Sequence, residues 1–285
     1  MKGACGARPV GIPRFSMKVI ISHDVDHLFG KDHWFRDLIY PKLWVRSALE
    51  ALKSEISWRE CLLRFLSCFQ KERHRLGQVM AIDRQYGVPS TFFFGMEQGL
   101  GMSYYPHEAE QIVREVRERG FDVGVHGICY DEAEGIRKER ERFEQTAGFA
   151  PCGIRMHYVR FDQNTFRYED AAGYRFDATE FDKQTGGSIK QPYKVGAMWE
   201  FPLTIMDVYL PQRFEEARRE TLQKLEACKT AGIDYISVLF HDYQFDPAYS
   251  DMSRWYAWLL EYLANDEAYS FVSFEDAIRE LEAKE

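Results

Sequence analysis

Three features that would assign this 285-residue sequence to a familiar class are missing from it. No window approaches eighteen consecutive apolar residues, which excludes an ordinary membrane-spanning helix. Lys and Arg number 37 against 45 Asp and Glu, a net charge of -8, so no strongly basic domain is available to neutralise nucleic-acid phosphates. The six cysteines include no C-x-x-C pair, which suits reduced thiols better than a disulfide framework or a thiolate zinc site.

The N-terminal segment also lacks the apolar h-region that a secretory signal needs. We therefore expect a cytoplasmic protein. Residues 1–16 contain Gly, Pro and Arg without periodicity and are predicted to be a disordered leader. A single domain is expected to occupy residues 17–285.

What the sequence does contain is a regular alternation of strand-like and helical segments. With 45% hydrophobic residues, the chain can bury a large core. Seven or eight apolar, β-rich segments separated mostly by helices predict an α/β fold with a parallel sheet, and so many strands favour closure into a barrel. The predicted strands are KVIIS (18–22) and the segments 88–95, 121–126, 152–158, 174–179, 199–207, 234–241 and 269–274.

Residues 29–78 interrupt this alternation with a long, aromatic-rich segment that is predicted to be a helical insertion after the first strand. Between residues 31 and 75, ten Lys and Arg stand against six Asp and Glu, a local charge of +4. Contact with a membrane surface or with a lipid-linked substrate is one interpretation. A helical lid whose cations lie along apolar surface is the other.

Polar residues cluster where the predicted strands end, the edge at which parallel barrels place their chemistry. Asp24 and Asp26 in SHDVDH are two apart and so point to the same face of the first strand. Their mutual repulsion is relieved if one binds a divalent cation and the other accepts protons. His126 directly follows another strand, and oxygen and nitrogen ligands with an open position are what catalytic zinc accepts.

Two further strands end in groups suited to the same site. Arg155 and His157 in GIRMHY alternate onto one face, and an inward-facing arginine there would orient Asp24. His241 follows the apolar ISVLF and is a candidate general acid, with Asp177 or Asp207 as its possible orienting carboxylate.

Taken in this order, the segments SHDVDH, HGICY, GIRMHY and LFHD resemble the motifs of the polysaccharide deacetylases, carbohydrate esterase family four. The resemblance covers about residues 17–275 apart from the insertion. It implies a distorted (β/α) barrel of about seven parallel strands that removes acetyl groups from N-acetylated sugars with a divalent metal, most readily zinc. It also implies that Asp24 is the base, Asp26 and His126 are metal ligands, and His241 is the acid.

Longer segments, among them GIRMHYVRFD and WEFPLTIMD, are similar to a branch of deacetylase-like proteins of bacterial surface polysaccharide and O-antigen synthesis. The expected substrate is then an N-acyl amino sugar in a nucleotide- or lipid-linked glycan precursor. No obligate protein partner is evident. A formyl amide is an alternative scissile group.

The sequence departs from the family at one ligand position. The family places a second metal histidine four residues after the first, where this chain has Tyr130, a poor zinc ligand because its phenol titrates near 10. The third ligand is then Asp131, His157, a water molecule or nothing. This departure leaves two hypotheses: a metal-dependent sugar N-deacetylase, or a catalytically silent, sugar-binding relative.

Overall fold

The computed structural model describes residues 16–35 and 39–285, so the predicted leader lies outside the described residues apart from Ser16. The described chain forms a single curled sheet with helices packed against it. Its strands are β1 (Met17–Val25), β2 (Thr91–Gly95), β3 (Asp122–Gly127), β4 (Ile154–Met156), β5 (Phe176–Asp177), β6 (Tyr193–Val195), β7 (Met198–Glu200), β8 (Leu203–Met206), β9 (Tyr235–Leu239) and β10 (Tyr269–Phe271).

The strand order is β6-β7-β5-β4-β3-β2-β1-β9-β8, and β10 pairs with β1 beside this path. All pairings are parallel except that of β6 with β7. The α/β class and the distorted barrel predicted from the sequence are thereby confirmed. The sheet has ten strands rather than about seven because several are only two or three residues long.

The predicted single strand at 199–207 is wrong, because this segment contributes two strands to opposite ends of the sheet. β7 pairs with β5, whereas β8 pairs with β9. Only Phe201 and Pro202 join them, and proline has no N–H to continue a ladder. The sheet must therefore curl until its two ends are within reach of this link.

The helices pack around the sheet, and four of them precede β2. Two of these contain most of residues 39–67, so the segment predicted as an insertion is largely helical over that range. The helices are α1 (Asp32–Phe35), α2 (Ile39–Leu52), α3 (Trp58–Ser67), α4 (Leu76–Gln85), α5 (Pro106–Glu118), α6 (Ala133–Ala147), α7 (Thr165–Ala172), α8 (Phe214–Thr230), α9 (Ser250–Ala264) and α10 (Phe274–Glu282).

The two faces of the sheet bury different apolar sets. Phe92 and Phe94 of β2 pack toward the helices, while Phe93 points inside the curl. Inside, Phe176 stacks on Phe274 of α10 at 4.1 Å between ring centroids. Ser273 caps α10 by accepting the N–H of Asp276 at 3.0 Å. This aromatic packing fills one end of the curl.

The opposite end of the curl is polar. Along the inner face of β1, Ile20 belongs to the aromatic cluster, Ser22 bonds to Arg155, and Asp24 and Asp26 follow. Because alternate residues share a face, one strand thus runs from an apolar interior to a charged rim.

None of the helices in the described part of the chain combines the length and the apolar composition that a membrane span needs.

Candidate metal and catalytic site

The candidate site lies at the carboxyl edge of four strands, β1, β3, β4 and β9. These strands lie close together in the sheet, since β3 pairs with β4 and β1 pairs with β9. Parallel strands present their carboxyl ends at one edge, so residues far apart in sequence meet there. The residues brought together are Asp24, Asp26, His126, Arg155, His157 and His241.

Asp26, His126 and His157 form a group of three donors. Their ligand atoms all lie within 4.8 Å of one another, and the group is the one such His, Cys, Asp and Glu cluster in the described chain. Oδ1 of Asp26 lies 3.2 Å from Nε2 of His126 and 3.4 Å from Nδ1 of His157. Oδ1 is buried and makes no hydrogen bond. One carboxylate and two imidazoles are a donor set typical of catalytic zinc.

Backbone carbonyls fix the tautomers of both imidazoles. Nδ1 of His126 lies 3.0 Å from the carbonyl of Arg155, and Nε2 of His157 lies 3.2 Å from the carbonyl of Leu100. A carbonyl only accepts, so each of these nitrogens carries the proton. The remaining nitrogens, Nε2 of His126 and Nδ1 of His157, are then lone pairs that face each other at 2.9 Å. Two lone pairs and a carboxylate oxygen converging on one point require a cation or a proton between them.

The chain turns sharply just after His157, which brings its ring over the site. Tyr158 and Val159 have φ values of 57° and 45°, in the left-handed region that non-glycine residues seldom adopt. The Tyr158 hydroxyl donates to the carbonyl of Leu100 at 2.9 Å, the same carbonyl that holds His157. Backbone strain of this kind occurs preferentially at functional sites.

Arg155 holds Asp24 in place. Its Nη1 donates to Oδ1 of Asp24 at 2.9 Å, while Nη2 reaches Ser22 and Nε the carbonyl of Ala178, both at 2.8 Å. Burial acts to raise the pKa of the Asp24 carboxyl, but the neighbouring imidazole of His126 and guanidinium of Arg155 outweigh it and lower the pKa. Asp24 is therefore ionised at neutral pH, with Oδ2 directed toward His126 at 3.6 Å.

His241 is paired with Asp207, one of its two predicted orienting residues. Oδ1 of Asp207 lies 2.7 Å from Nδ1 of His241, and Oδ2 accepts the His241 backbone N–H at 2.7 Å. Burial acts to lower the pKa of the imidazole, but Asp207 and then Asp26 and Asp24 raise it to about 10. His241 is therefore protonated at neutral pH, and its Nε2 lies 3.7 Å from Asp26.

A cavity of about 660 Å³ opens onto these groups. Asp24, Asp26, His126, His157 and His241 line one side of it. Ile39 and Leu43 of α2 line the other, so the helical segment forms a wall of the cavity. This volume falls within the range of roughly 300–1,000 Å³ that is usual for small-molecule sites.

Three residues proposed from the sequence lie apart from this cluster. β3 ends at Gly127, so Tyr130 and Asp131 already belong to the following loop. The Tyr130 ring packs under Arg160 at 4.7 Å, and Asp131 is exposed. Asp177 accepts the hydroxyl of Thr179 at 2.5 Å and does not contact His241.

Other contributors left no local signal in the sequence. The carbonyl of Leu100 comes from a loop after β2, and Gln244 donates to Asp207 at 2.8 Å from the segment after β9. Arg46 and Arg73 line the cavity from the helical segment. In the sequence they could not be told from ordinary surface arginines. Only the folded chain shows that these groups converge.

The comparisons with known proteins rest on structure, because the sequence matches no protein-family model and no curated protein. A protein described as a polysaccharide deacetylase from Mycobacterium smegmatis aligns with a TM-score of 0.64 at 15% identity, over 98% of this chain and 95% of that one. Puue allantoinase aligns with a TM-score of 0.59 at 14% identity, over 95% and 91%. A mutant CE4 family pseudoenzyme with restored enzymatic activity aligns with a TM-score of 0.51 at 11% identity, over 92% of this chain and 68% of that one.

These likenesses establish the architecture of the chain. It has the fold of the polysaccharide deacetylases, so the resemblance inferred from the motifs is confirmed at the level of the fold. The same fold occurs in a protein named as an allantoinase and in one named as a pseudoenzyme. Function must therefore be argued from the side chains at the carboxyl edge.

Proposed function

We propose that the protein is a metal-dependent hydrolase that removes an acyl group, most simply acetyl, from an N-acylated amino sugar. The observation that carries this proposal is the convergence of three donors on one buried point beside an ionised carboxylate and a protonated imidazole. Hydrolysis of an amide needs a group that takes a proton from water and a group that gives one to the leaving amine. The site contains both.

The donors suit a divalent metal, and zinc fits them best. Asp26, His126 and His157 would hold the ion, since their unprotonated atoms face the same point and the opposite ring nitrogens are anchored on backbone carbonyls. A bound metal supplies Lewis acidity, which polarises the acyl carbonyl and makes a water molecule more acidic. In this proposal His157 supplies the third protein ligand, in place of the histidine that the family pattern expects where this chain has Tyr130.

The remaining residues move protons. Asp24 accepts a proton from the attacking water through Oδ2, because Oδ1 is held by Arg155. As the new C–O bond forms and the C–N bond breaks, His241 donates the proton of Nε2 to the departing amine nitrogen. Asp207 supports this step by holding Nδ1 and stabilising the imidazolium. The products are a carboxylic acid and a free amino sugar.

The cavity indicates the size of the substrate. The α2 wall closes one side of the site, which suits a single sugar unit in a glycan precursor better than the middle of a long polymer. A precursor in bacterial surface polysaccharide or O-antigen synthesis fits this size, and the predicted cytoplasmic location would suit such a role. The acid released in the assay, acetate or formate, identifies the acyl group.

Metal analysis and turnover test the proposal together. The purified protein should bind about one zinc ion, and an Asp26→Ala, His157→Ala double variant should lose it. With N-acetylated amino sugars and their phosphorylated forms as substrates, the metal-loaded protein should release acetate. A protein that binds one zinc ion and deacylates none of a broad N-acyl sugar panel would contradict the hydrolase assignment.

A catalytically silent sugar-binding protein is the second candidate, favoured by Tyr130 at a ligand position and by the pseudoenzyme of the same fold. Metal content separates the two candidates. Sub-stoichiometric zinc after incubation with excess zinc, together with sugar binding, would support the silent candidate. One zinc ion per chain with turnover would exclude it.

A further inference from the structure

Three arginines of the described chain are buried, and one of them differs from the others in its surroundings. Arg155 pairs with Asp24 at 2.9 Å, and Arg64 pairs with Glu50 at 2.6 Å. Arg73 is only 6% exposed, yet no described carboxylate lies within ion-pair distance of it. A buried charge without a partner is costly, so its retention calls for a compensating group.

The contacts of Arg73 leave part of its guanidinium unused. Nη1 donates to the hydroxyl of Ser67 at 2.8 Å, and the guanidinium carbon lies 5.8 Å from the centroid of the Tyr40 ring. Nε is buried and has no hydrogen-bond partner. Arg73 also lines the cavity above the candidate metal site. The side chain of Arg73 therefore borders the space that a substrate would occupy, and its charge has no carboxylate partner there.

Two further cations line the same cavity. Lys183 is exposed, and Arg46 extends from α2 with only its Nε bonded to Glu50, at 2.6 Å. The carboxylates that line the cavity are Asp24 and Asp26, both engaged by Arg155 or the histidines. Arg46 is therefore paired with Glu50, whereas Arg73 and Lys183 have no carboxylate partner among the described residues.

We propose that the substrate of this site carries a phosphoryl group and that Arg73 is its principal binding residue, with Arg46 and Lys183 contributing from the rim. This inference rests on the proposed function, because it concerns the substrate of the same cavity. Guanidinium matches phosphate through paired, parallel N–H donors, which makes arginine the usual choice for such recognition. The phosphoryl group can belong to a sugar phosphate, a sugar nucleotide or a lipid-linked sugar.

Calorimetric titration tests the proposal without requiring turnover. The probes are inorganic phosphate, N-acetylglucosamine 1-phosphate and unphosphorylated N-acetylglucosamine, added to the full-length protein as purified and again after chelator treatment. The sugar phosphate should bind at least about tenfold more tightly than the neutral sugar in both preparations, as expected for a charge-assisted contact. Equal affinities would overturn the proposal.

The decisive variant is Arg73→Met, which keeps the apolar stem and removes the charge. Its affinity for the sugar phosphate should fall about 10- to 100-fold, while its melting temperature without ligand should stay the same or rise because an unpaired buried charge is gone. The matched control Arg59→Met removes an exposed charge from α3 and should change neither quantity. An Arg73→Met affinity within twofold of wild type would overturn the proposal. If that variant does not fold, Arg73→Gln, which can still bond to Ser67, is judged by the same criterion.

Further ligands identify the source and the kind of anion. Binding of a uridine diphosphate sugar, or of vesicles containing a polyprenyl phosphate sugar, at affinities lowered by Arg73→Met would locate the phosphoryl group in a nucleotide or a lipid. Tighter binding of glucuronate than of the sugar phosphate would overturn the phosphoryl assignment. Efficient deacylation without preference for phosphorylated sugars would overturn this inference and leave the proposed function standing. Phosphate binding through Arg73 without deacylation of any substrate would overturn the proposed function and leave this inference standing.

Discussion

At the scale of single residues, the two neighbouring carboxylates of the site have different partners. Asp24 bonds to a permanently charged guanidinium, and Asp26 faces two imidazoles. Burial acts to raise the pKa of Asp26, but His157 and His126 lower it well below its usual range. Both carboxylates are thus ionised, and their different partners assign them different tasks.

The variant Asp24→Asn should separate metal binding from catalysis. An amide cannot accept the proton of water, so kcat should fall by about 10²–10⁴-fold. Zinc content should stay near the wild-type value because Asp26, His126 and His157 are untouched. Steady-state kinetics and metal analysis of one preparation check both expectations, and a variant with near-normal kcat would remove Asp24 from the role of base.

The variant Asp207→Asn should shift the pH dependence of turnover. Asp207 is the main group that raises the pKa of His241 to about 10. Without that carboxylate, the pKa moves toward the ordinary value of about 6.5. Since the acid must be protonated, the alkaline limb of the kcat profile should move down by more than about one pH unit. An unchanged limb would show that His241 is not the acid.

At the scale of secondary structure elements, α2 and α3 expose apolar residues at helical spacing. Val45, Leu49 and Leu52 form one row on α2. Trp58, Leu62 and Phe65 form another on α3, and Phe69 follows just beyond the end of that helix; each of these residues is 41–68% exposed. Lys42, Lys53 and Arg59 are also exposed nearby, while Glu50 and Glu60 are buried. This pattern agrees with the sequence-based interpretation of a membrane-surface contact, which stays a prediction.

Vesicle sedimentation tests that contact. The protein should bind vesicles that contain phosphatidylglycerol more strongly than neutral vesicles, and a Trp58→Ser, Leu62→Ser double variant should bind several-fold more weakly. Ile189→Ser is the matched control, because Ile189 is a 43% exposed apolar residue on another part of the surface. If the double variant and the control sediment alike, the exposed apolar residues of α3 do not mediate vesicle binding.

The secondary structure elements also show which parts of the fold and the candidate site could be predicted from the sequence. The apolar runs that end in polar residues predicted β1, β3, β4 and β9 and the gathering of their last residues, because parallel strands share an edge. The sequence left open which residue would be the third possible metal donor. His157 joins Asp26 and His126 because the chain turns at Tyr158 and Val159 in a left-handed conformation, which no local residue preference indicates. Arg73 was missed because its burial depends on contacts made after folding.

At the scale of the whole molecule, buried acids away from the catalytic site make stability depend on pH. Burial and the neighbouring Asp177 raise the pKa of Glu200, and burial is also the main cause that raises the pKa values of Glu169 and Asp177. An acid whose pKa is raised in the folded state contributes fully to the stability of the fold at pH values below its ordinary pKa, near 4. That contribution is lost as the pH rises through the folded-state pKa, because the unfolded chain then releases protons more readily.

Glu200→Gln should reduce this dependence. The amide removes one ionisable group, and its N–H can donate to the carboxylate of Asp177. At pH 8 the variant should be more stable than wild type by on the order of 2 kcal/mol, with a smaller difference at pH 5. Urea unfolding at the two pH values measures the effect, and lower stability of the variant at pH 8 would contradict it.

The two-residue link between β7 and β8 bears on how the site works. Asp207 follows β8, whereas Arg155 and Asp177 lie on β4 and β5, toward the far end of the strand order. Because only Phe201 and Pro202 join β7 to β8, the two ends of the sheet are held close to each other. Asp207, with His241 beside it, and Arg155 are therefore already positioned before a substrate binds, and the proposed reaction needs no closure of the sheet.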